Sequence, residues 1–305
     1  MFLKLVYVIG LLSMITAASA SNLNGKTIAF AQDTMANDFR KAQVYEVRDA
    51  VAKHSGLKFV FSDAKGKTAL LISQINQFID KKVDLIIIGT NDEAAVVPVV
   101  TKAYKSGIVV IVLDRGIQGR NYTSFITSDN LKIGAIGAKY IAKRLNGKGK
   151  VLLLEGLQKA DVTQLRSKGF MDEMSKYKGI SIIKRTGNYL RKDAIIEMEK
   201  LIKSDEKIDA IFSESDSMLS GARSALEHHA IKPSSIVTVG CDYTSEAQEA
   251  IRKGTQTGSV LFPLGGTKSV EIAVQIFNGT KVPKNVLIPI KLVTKENVNN
   301  VKPIF

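Results

Sequence analysis

Carboxylates, amides and guanidinium groups stand directly after a series of short apolar runs, in a mixture suited to recognising a polyol. The segment QDTMANDFR places Asp33, Asn37, Phe39 and Arg40 after the first run, TND places Asn91 after the third, and LDR places Asp114 and Arg115 after the fourth. Further along the chain, the corresponding positions hold Arg166, Tyr189, Ser215, Asp242 and Phe262. A sugar hydroxyl donates and accepts at once, so fixed carboxylates and guanidinium groups can satisfy both capacities in planar, bidentate geometry. An aromatic ring can cover the apolar C–H face of a pyranose or furanose, and Phe39, Tyr189 and Phe262 are the available platforms. Each residue taken singly has a plainer role. Asp114 and Arg115 could be a local ion pair, Asn37, Asp92 and Asp216 helix caps, and the aromatics ordinary core. The functional reading rests on their convergence at one edge.

Catalytic signatures are missing from the sequence. There is no Gly-x-Ser-x-Gly elbow, no Walker loop and no Gly-x-Gly-x-x-Gly after the first apolar run. LNGKGKV reads as a helix C-cap and turn. His228–His229 in LEHHAIK closes a helix, where a cationic or capping role is expected. Cys241, the one cysteine, is expected to be a buried structural thiol and excludes an intramolecular disulfide. Nothing singles out the acid pair a glycosidase needs. The expectation is a protein without catalysis, cofactor or metal.

These residues need a scaffold that delivers strand ends to one edge. Thr27–Ala31, Leu57–Phe61, Val83–Ile88, Ile108–Leu113 and Phe125–Thr127 read as strands, as do Val151–Leu154, Ile180–Ile183, Ile208–Phe212, Ile236–Val239 and Ser259–Phe262. Most are rich in Val and Ile without polar alternation, the pattern of strands buried on both faces. Amphipathic stretches such as Phe39–Lys53, Ala69–Asp80, Ile133–Leu145 and Met218–His228 lie between them. This alternation predicts an α/β fold with doubly wound parallel sheets. The order then repeats at a nearly constant offset: IAFAQ answers VLLLE, KVDLIIIGTND answers KIDAIFSESD, and IVVIVLD answers SIVTVGCD. Two lobes of like topology follow, 22–126 plus 262–288 and 127–261 plus 289–305, joined by several crossings that make a hinge. In such sheets ligands bind beyond the carboxyl ends of the strands.

Residues 1–20, MFLKLVYVIGLLSMITAASA, have the form of a secretory signal peptide. Lys4 is followed by an apolar run, and Ala18 and Ala20 supply an A-x-A cleavage site. Export to the periplasm with cleavage after Ala20 is expected. The formal charge is +14, with lysines scattered rather than in one tract. That is read as a solvated basic surface, with no nucleic-acid partner.

With these residues in hand, the chain resembles the type I periplasmic sugar-binding proteins of ABC transporters, the ribose/galactose-binding class. TIAFAQDTMANDFRKAQ, GIVVIVLDRGIQG, YTSFITSDNLKIGAIGAKYIA, FSESDSMLSGARSAL, TVGCDYT and VLFPLGGTKSVEIAVQIFNGTKVPKNVLIPIKLVTKENV carry the likeness, in order, over essentially the whole chain after the signal segment. The resemblance implies two hinged lobes closing on a monosaccharide. It implies a membrane permease as partner, with a chemoreceptor or sensor kinase as the alternative reader, and a monomer. Asp33, Asn37, Phe39 and Arg40 match the first sugar-contacting loop, Asp114 and Arg115 the pair that grips ring hydroxyls, and Arg166, Tyr189 and Asp242 the contacts of the second lobe. Ser215 stands where the family often has Asn, Gly89 where Asn is also found, and Leu261 or Phe262 where ribose binders carry Gln. Arg40 replaces a second aromatic. These departures point away from ribose, toward other pentoses or hexoses, furanose forms included.

Overall fold

The computed structural model describes residues 23–305, so the signal segment lies outside the described residues. Strands β1 (Thr27–Gln32), β2 (Lys58–Asp63), β3 (Leu85–Gly89), β4 (Val109–Leu113), β5 (Ser124–Thr127) and β11 (Asn285–Leu287) form one parallel sheet in the order β11-β5-β4-β3-β1-β2. Strands β6 (Lys148–Glu155), β7 (Gly179–Thr186), β8 (Ala210–Ser213), β9 (Val237–Asp242), β10 (Gly258–Leu261) and β12 (Lys291–Thr294) form the second, in the order β12-β10-β9-β8-β6-β7. The two orders are equivalent, as the internal repeat requires. They differ at the last strand, since β12 runs antiparallel to β10.

Side-chain alternation along the central strands supplies cores to both faces. In the first sheet Ala29, Ala31, Ile86, Ile88, Val110 and Val112 pack against α2 (Thr68–Asp80) and α3 (Val97–Lys105). Ile28, Phe30, Leu85, Ile87, Ile111 and Leu113 point the other way, onto α1 (Asp38–Val51) and α9 (Gly266–Phe277). In the second sheet Val151, Leu153, Phe212, Val239 and Cys241 meet α4 (Asn130–Arg144) and α5 (Asp161–Met174), whereas Leu152, Leu154 and Ile211 meet α6 (Arg191–Lys203) and α7 (Asp216–His228). Burying a Val, Leu or Ile side chain is worth about 1.5–3 kcal/mol, so the strands lined on both faces contribute most to holding each lobe together.

The chain passes between the lobes after Thr127, after Leu261 and after Leu287. The sequence reading left out α8 (Ser245–Lys253), whose SEAQEAIRK is mostly polar, as well as α9 and the short strands β11 and β12. Cys241 is buried, as its apolar neighbours required. Among the described residues no helix is long and apolar enough to cross a membrane.

Candidate functional site

The site begins at the first turn of α1. Asn37 has extended backbone geometry and caps the helix, its Oδ1 accepting the Arg40 N–H at 3.1 Å. Its Nδ2 donates to the Tyr189 carbonyl of the other lobe at 2.7 Å. Arg40 is 1% exposed. Its Nε lies 3.6 Å from Asp33 Oδ1, its Nη1 lies 3.2 Å from Asp114 Oδ2, and Nη1 also donates to Gln43 Oε1 at 2.9 Å. Arg115 Nη1 donates to Asp33 Oδ2 at 3.0 Å, and its guanidinium lies 5.3 Å from the Tyr189 ring centroid. Arg115, Asp33, Arg40 and Asp114 thus form one chain of alternating charge. Burial and the neighbouring Arg115 push Arg40 below the ordinary arginine value, while Asp33 and Asp114 pull it back up.

The second lobe supplies the opposite wall. Arg166 sits on α5, seated by a close helix pair. A Cβ at Gly134 of α4 would lie 2.0 Å from the Arg166 carbonyl, and one at Gly169 would lie 2.0 Å from the Leu131 carbonyl. Arg166 Nε donates to Asn130 Oδ1 at 2.8 Å and Nη1 to the Glu214 carbonyl at 2.9 Å. Its guanidinium lies 4.5 Å from the Phe262 ring centroid, and Phe262 meets Phe39 at 5.0 Å. Tyr189 Oη is 2.7 Å from Thr163 Oγ1 and 3.3 Å from Glu214 Oε2. The ring occupies the space left by Gly156, where a Cβ would lie 1.9 Å from it. Burial, with nearby Glu214, pushes the Tyr189 phenol up. Burial also pushes Glu214 up to about 7.

Asp242 is buried and makes no ion pair among the described residues. Burial and the Asp216 carboxylate hold its carboxyl well above the usual range, against the pull of Arg166. Backbone strain collects here too: Asp114, Tyr189 and Asp242 have φ of 66°, 61° and 101°, in the left-handed region, a conformation costing about 1–3 kcal/mol per non-glycine residue.

Apart from Asp33 and Asn91, every residue expected at the site lines one narrow cleft between the closed lobes, joined by Val162. Asp33 lies behind it, bound to both guanidinium groups. Asn91 stands apart from the cavity: its Oδ1 accepts from Thr68 Oγ1 at 3.3 Å, and Arg115 reaches the Thr90 carbonyl beside it. Ser215 lines the cavity but also caps α7, accepting the Met218 N–H. Further contacts close the lobes on each other: Ser217 Oγ donates to Asp38 Oδ2 at 3.0 Å, and the Gly116 N–H donates to Asp161 Oδ2 at 2.8 Å. Buried Asp33 Oδ1, Arg40 Nη2 and Arg115 Nε have no hydrogen-bond partner.

A family model described as a periplasmic binding protein domain matches residues 28–281. The chain belongs to the periplasmic binding protein family. It is 29% identical over 284 residues to the ribose import binding protein of Bacillus subtilis strain 168, covering 92% of each chain. It is similar to the solved fructose-binding periplasmic domain of a hybrid two-component system, at 28% identity and TM-score 0.84, over 90% of this chain and 92% of that one. An ABC transporter solute-binding protein from Bacillus halodurans C-125, solved with bound myo-inositol, matches at 28% identity and TM-score 0.85, over 91% and 97% of the two chains.

In this periplasmic binding protein several residues behind the cavity escaped sequence reasoning. Gln43 holds Arg40 and donates to the Leu264 carbonyl at 2.8 Å, so it ties the site to a crossing segment. Its signal was its place one turn after Arg40 in DFRKAQ. Asn130, Thr163 and Glu214 orient Arg166 and Tyr189 from three separate elements. Only Glu214 had a hint, as the neighbour of Ser215.

Proposed function

We propose that the chain is a solute-binding protein that captures one monosaccharide, a pentose or hexose, between its lobes and hands it unchanged to the membrane permease of an ABC transporter. The observation that carries this reading is the polar cavity and its unpartnered atoms. Arg40 Nη2 and Arg115 Nε are buried without partners, and each such group costs about 1–3 kcal/mol. A polyol filling the space gives the donors an acceptor and the carboxylates a donor. Arg40, Asp114 and Arg115 from one lobe and Arg166 and Asp242 from the other grip hydroxyls in this reading. Phe39, Tyr189 and Phe262 cover the apolar parts of the ring, Asn37 and Ser215 complete the wall, and Asp33 and Gln43 hold the guanidinium groups in place.

Because both lobes contribute, capture and closure are one equilibrium, with the ligand favouring the closed state. The closed pair of lobe edges is then the surface a permease reads. The lobes are assigned as 22–126 plus 262–288 and 127–261 plus 289–305, working as a monomer in the periplasm after cleavage behind Ala20, with no cofactor, no catalysis and no nucleic acid. The similarity to the import protein supports delivery. The similarity to the two-component periplasmic domain favours a second reading, a sugar-sensing subunit for a kinase or chemoreceptor. Gene neighbours separate the two: a permease and ATPase for import, a kinase for sensing.

The test is a thermal-shift screen of the chain after Ala20 against pentoses, hexoses and polyols. A sugar present at about 100 times its Kd stabilises by about 2.7 kcal/mol. No shift with any member of the panel contradicts the proposal.

A further inference from the structure

Outside the cleft, where α6 packs on α7, three metal-ligating donors converge. Glu199 lies on α6, His228 is the last residue of α7, and His229 is the residue that caps it. His228 Nδ1 is 3.2 Å from Glu199 Oε1, and His229 Nε2 is 2.8 Å from Glu199 Oε2. All three donors lie within 4.8 Å of one another, in the one such group among the described residues. We propose that Glu199, His228 and His229 form a binding site for a divalent cation of the zinc class, independent of the sugar cavity.

The argument starts from helix geometry. Consecutive residues on a helix do not face each other. At a helix end the restriction relaxes, and the His229 backbone (φ −94°, ψ 18°) departs from the helix. Both rings therefore reach the same carboxylate, with centroids 5.1 Å apart and planes nearly perpendicular at 75°. In a tetrahedral zinc site, bonds of 2.0–2.2 Å place neighbouring donors about 3.3 Å apart. Against that spacing His228 Nδ1 is about 0.1 Å short and His229 Nε2 about 0.5 Å short, each measured to a different Glu199 oxygen, and side-chain rotation brings them to one centre. Two imidazoles and one carboxylate are a donor set suited to zinc, with the fourth position left to water. Thiolate competition is absent, since Cys241 is buried.

The charges agree. With neutral imidazoles the three groups carry one net negative charge, beside the partly negative C-terminal end of α7. To bind a cation each neutral ring takes the tautomer with its proton on the far nitrogen, leaving His228 Nδ1 and His229 Nε2 as ligand atoms. Lys203 Nζ, 3.6 Å from Glu199 Oε2, opposes the cation, but its side chain is 70% exposed and free to swing into solvent. His228, 76% exposed, leaves the site open to entry. Occupancy ties the end of α7 to α6 and so stabilises the second lobe. The capping role expected of His228–His229 from sequence did not foresee this, because Glu199 is remote in the chain.

The experiment uses the chain after Ala20 without a polyhistidine tag, and zinc ion alone as probe, in the absence of sugar. Calorimetry is expected to give one zinc per chain, with a saturable rise in Tm. The double variant His228→Ala/His229→Ala is expected to weaken binding about 100-fold or more, through loss of two of three ligands. Glu199→Gln weakens it less, and His54→Ala not at all. Sugar affinity is unchanged by zinc. Failure of the wild-type chain to bind zinc, or equal binding by the double variant with unchanged circular dichroism, overturns the proposal.

Discussion

Replacing Asp242 by Asn should stabilise the empty protein and weaken its grip on sugar, two effects of opposite sign from one atom change. The carboxyl is buried without an ion pair, and burial together with Asp216 raises it well above the usual range. The native state therefore holds this proton more tightly than the unfolded chain does. The associated stability is fully present below the unfolded carboxyl value and is lost as pH rises toward the folded one. Asn removes the buried charge, tolerates the left-handed backbone at φ 101°, and should gain about 0.5–2 kcal/mol at neutral pH. Binding moves the other way. A hydrogen bond to a charged group is worth about 1.5–3 kcal/mol against about 0.5–1.5 for a neutral one. The difference, about 1–2 kcal/mol, is a loss of roughly 5- to 30-fold in affinity. Urea unfolding of the empty protein at several pH values, paired with calorimetric titration of the sugar, reads both quantities. The reasoning is refuted if the variant is less stable at neutral pH, or if its affinity for sugar matches that of the parent.

Two further outcomes follow from the buried charges. Arg40→Met leaves Asp33 and Asp114 buried with a lost partner, and should cost about 3–5 kcal/mol by urea unfolding as well as abolish sugar binding by calorimetry. Glu214 is held up at about 7 against an ordinary 4.5. Its contribution to stability is therefore complete below about pH 4.5 and is lost as pH rises through about 7, a fall of about 3 kcal/mol. Glu214→Gln should flatten the slope of stability against pH across that window, measured by chemical unfolding.

The fold was legible because buried parallel strands leave an unmistakable trace. Runs such as LIIIG of β3 and VVIVL of β4 have no polar alternation, and the repeated order of such runs anticipated two equivalent sheets. The cavity was legible for a related reason: residues that follow a strand in such a sheet must emerge at one edge, so Asp114, Arg115 and Asp242 could be placed without coordinates. What stayed hidden depends on partners remote in sequence. That Asp33 would be spent on two arginines, leaving it behind the wall, depends on where Arg115 and Arg40 point, and the turn of Asn91 toward Thr68 depends on a helix start remote in sequence. The helix α8 was missed because its few apolar residues pack only at the sheet's margin, on Val293 of β12 and on Val298. The meeting of Glu199 with His228 and His229 depends on how α6 lies against α7.

The central claim is that two lobes close around one small carbohydrate through buried charges from both sides. A crystal structure of the chain after Ala20 with the best sugar from the thermal-shift screen tests it most directly. The account predicts density for a single intact monosaccharide in the cavity between the lobes, with hydroxyls bonded to Arg40, Asp114 or Arg115 on one side and to Arg166 or Asp242 on the other. A sugar bound to one lobe alone or outside the cavity, or density for a chemically altered product, would contradict it.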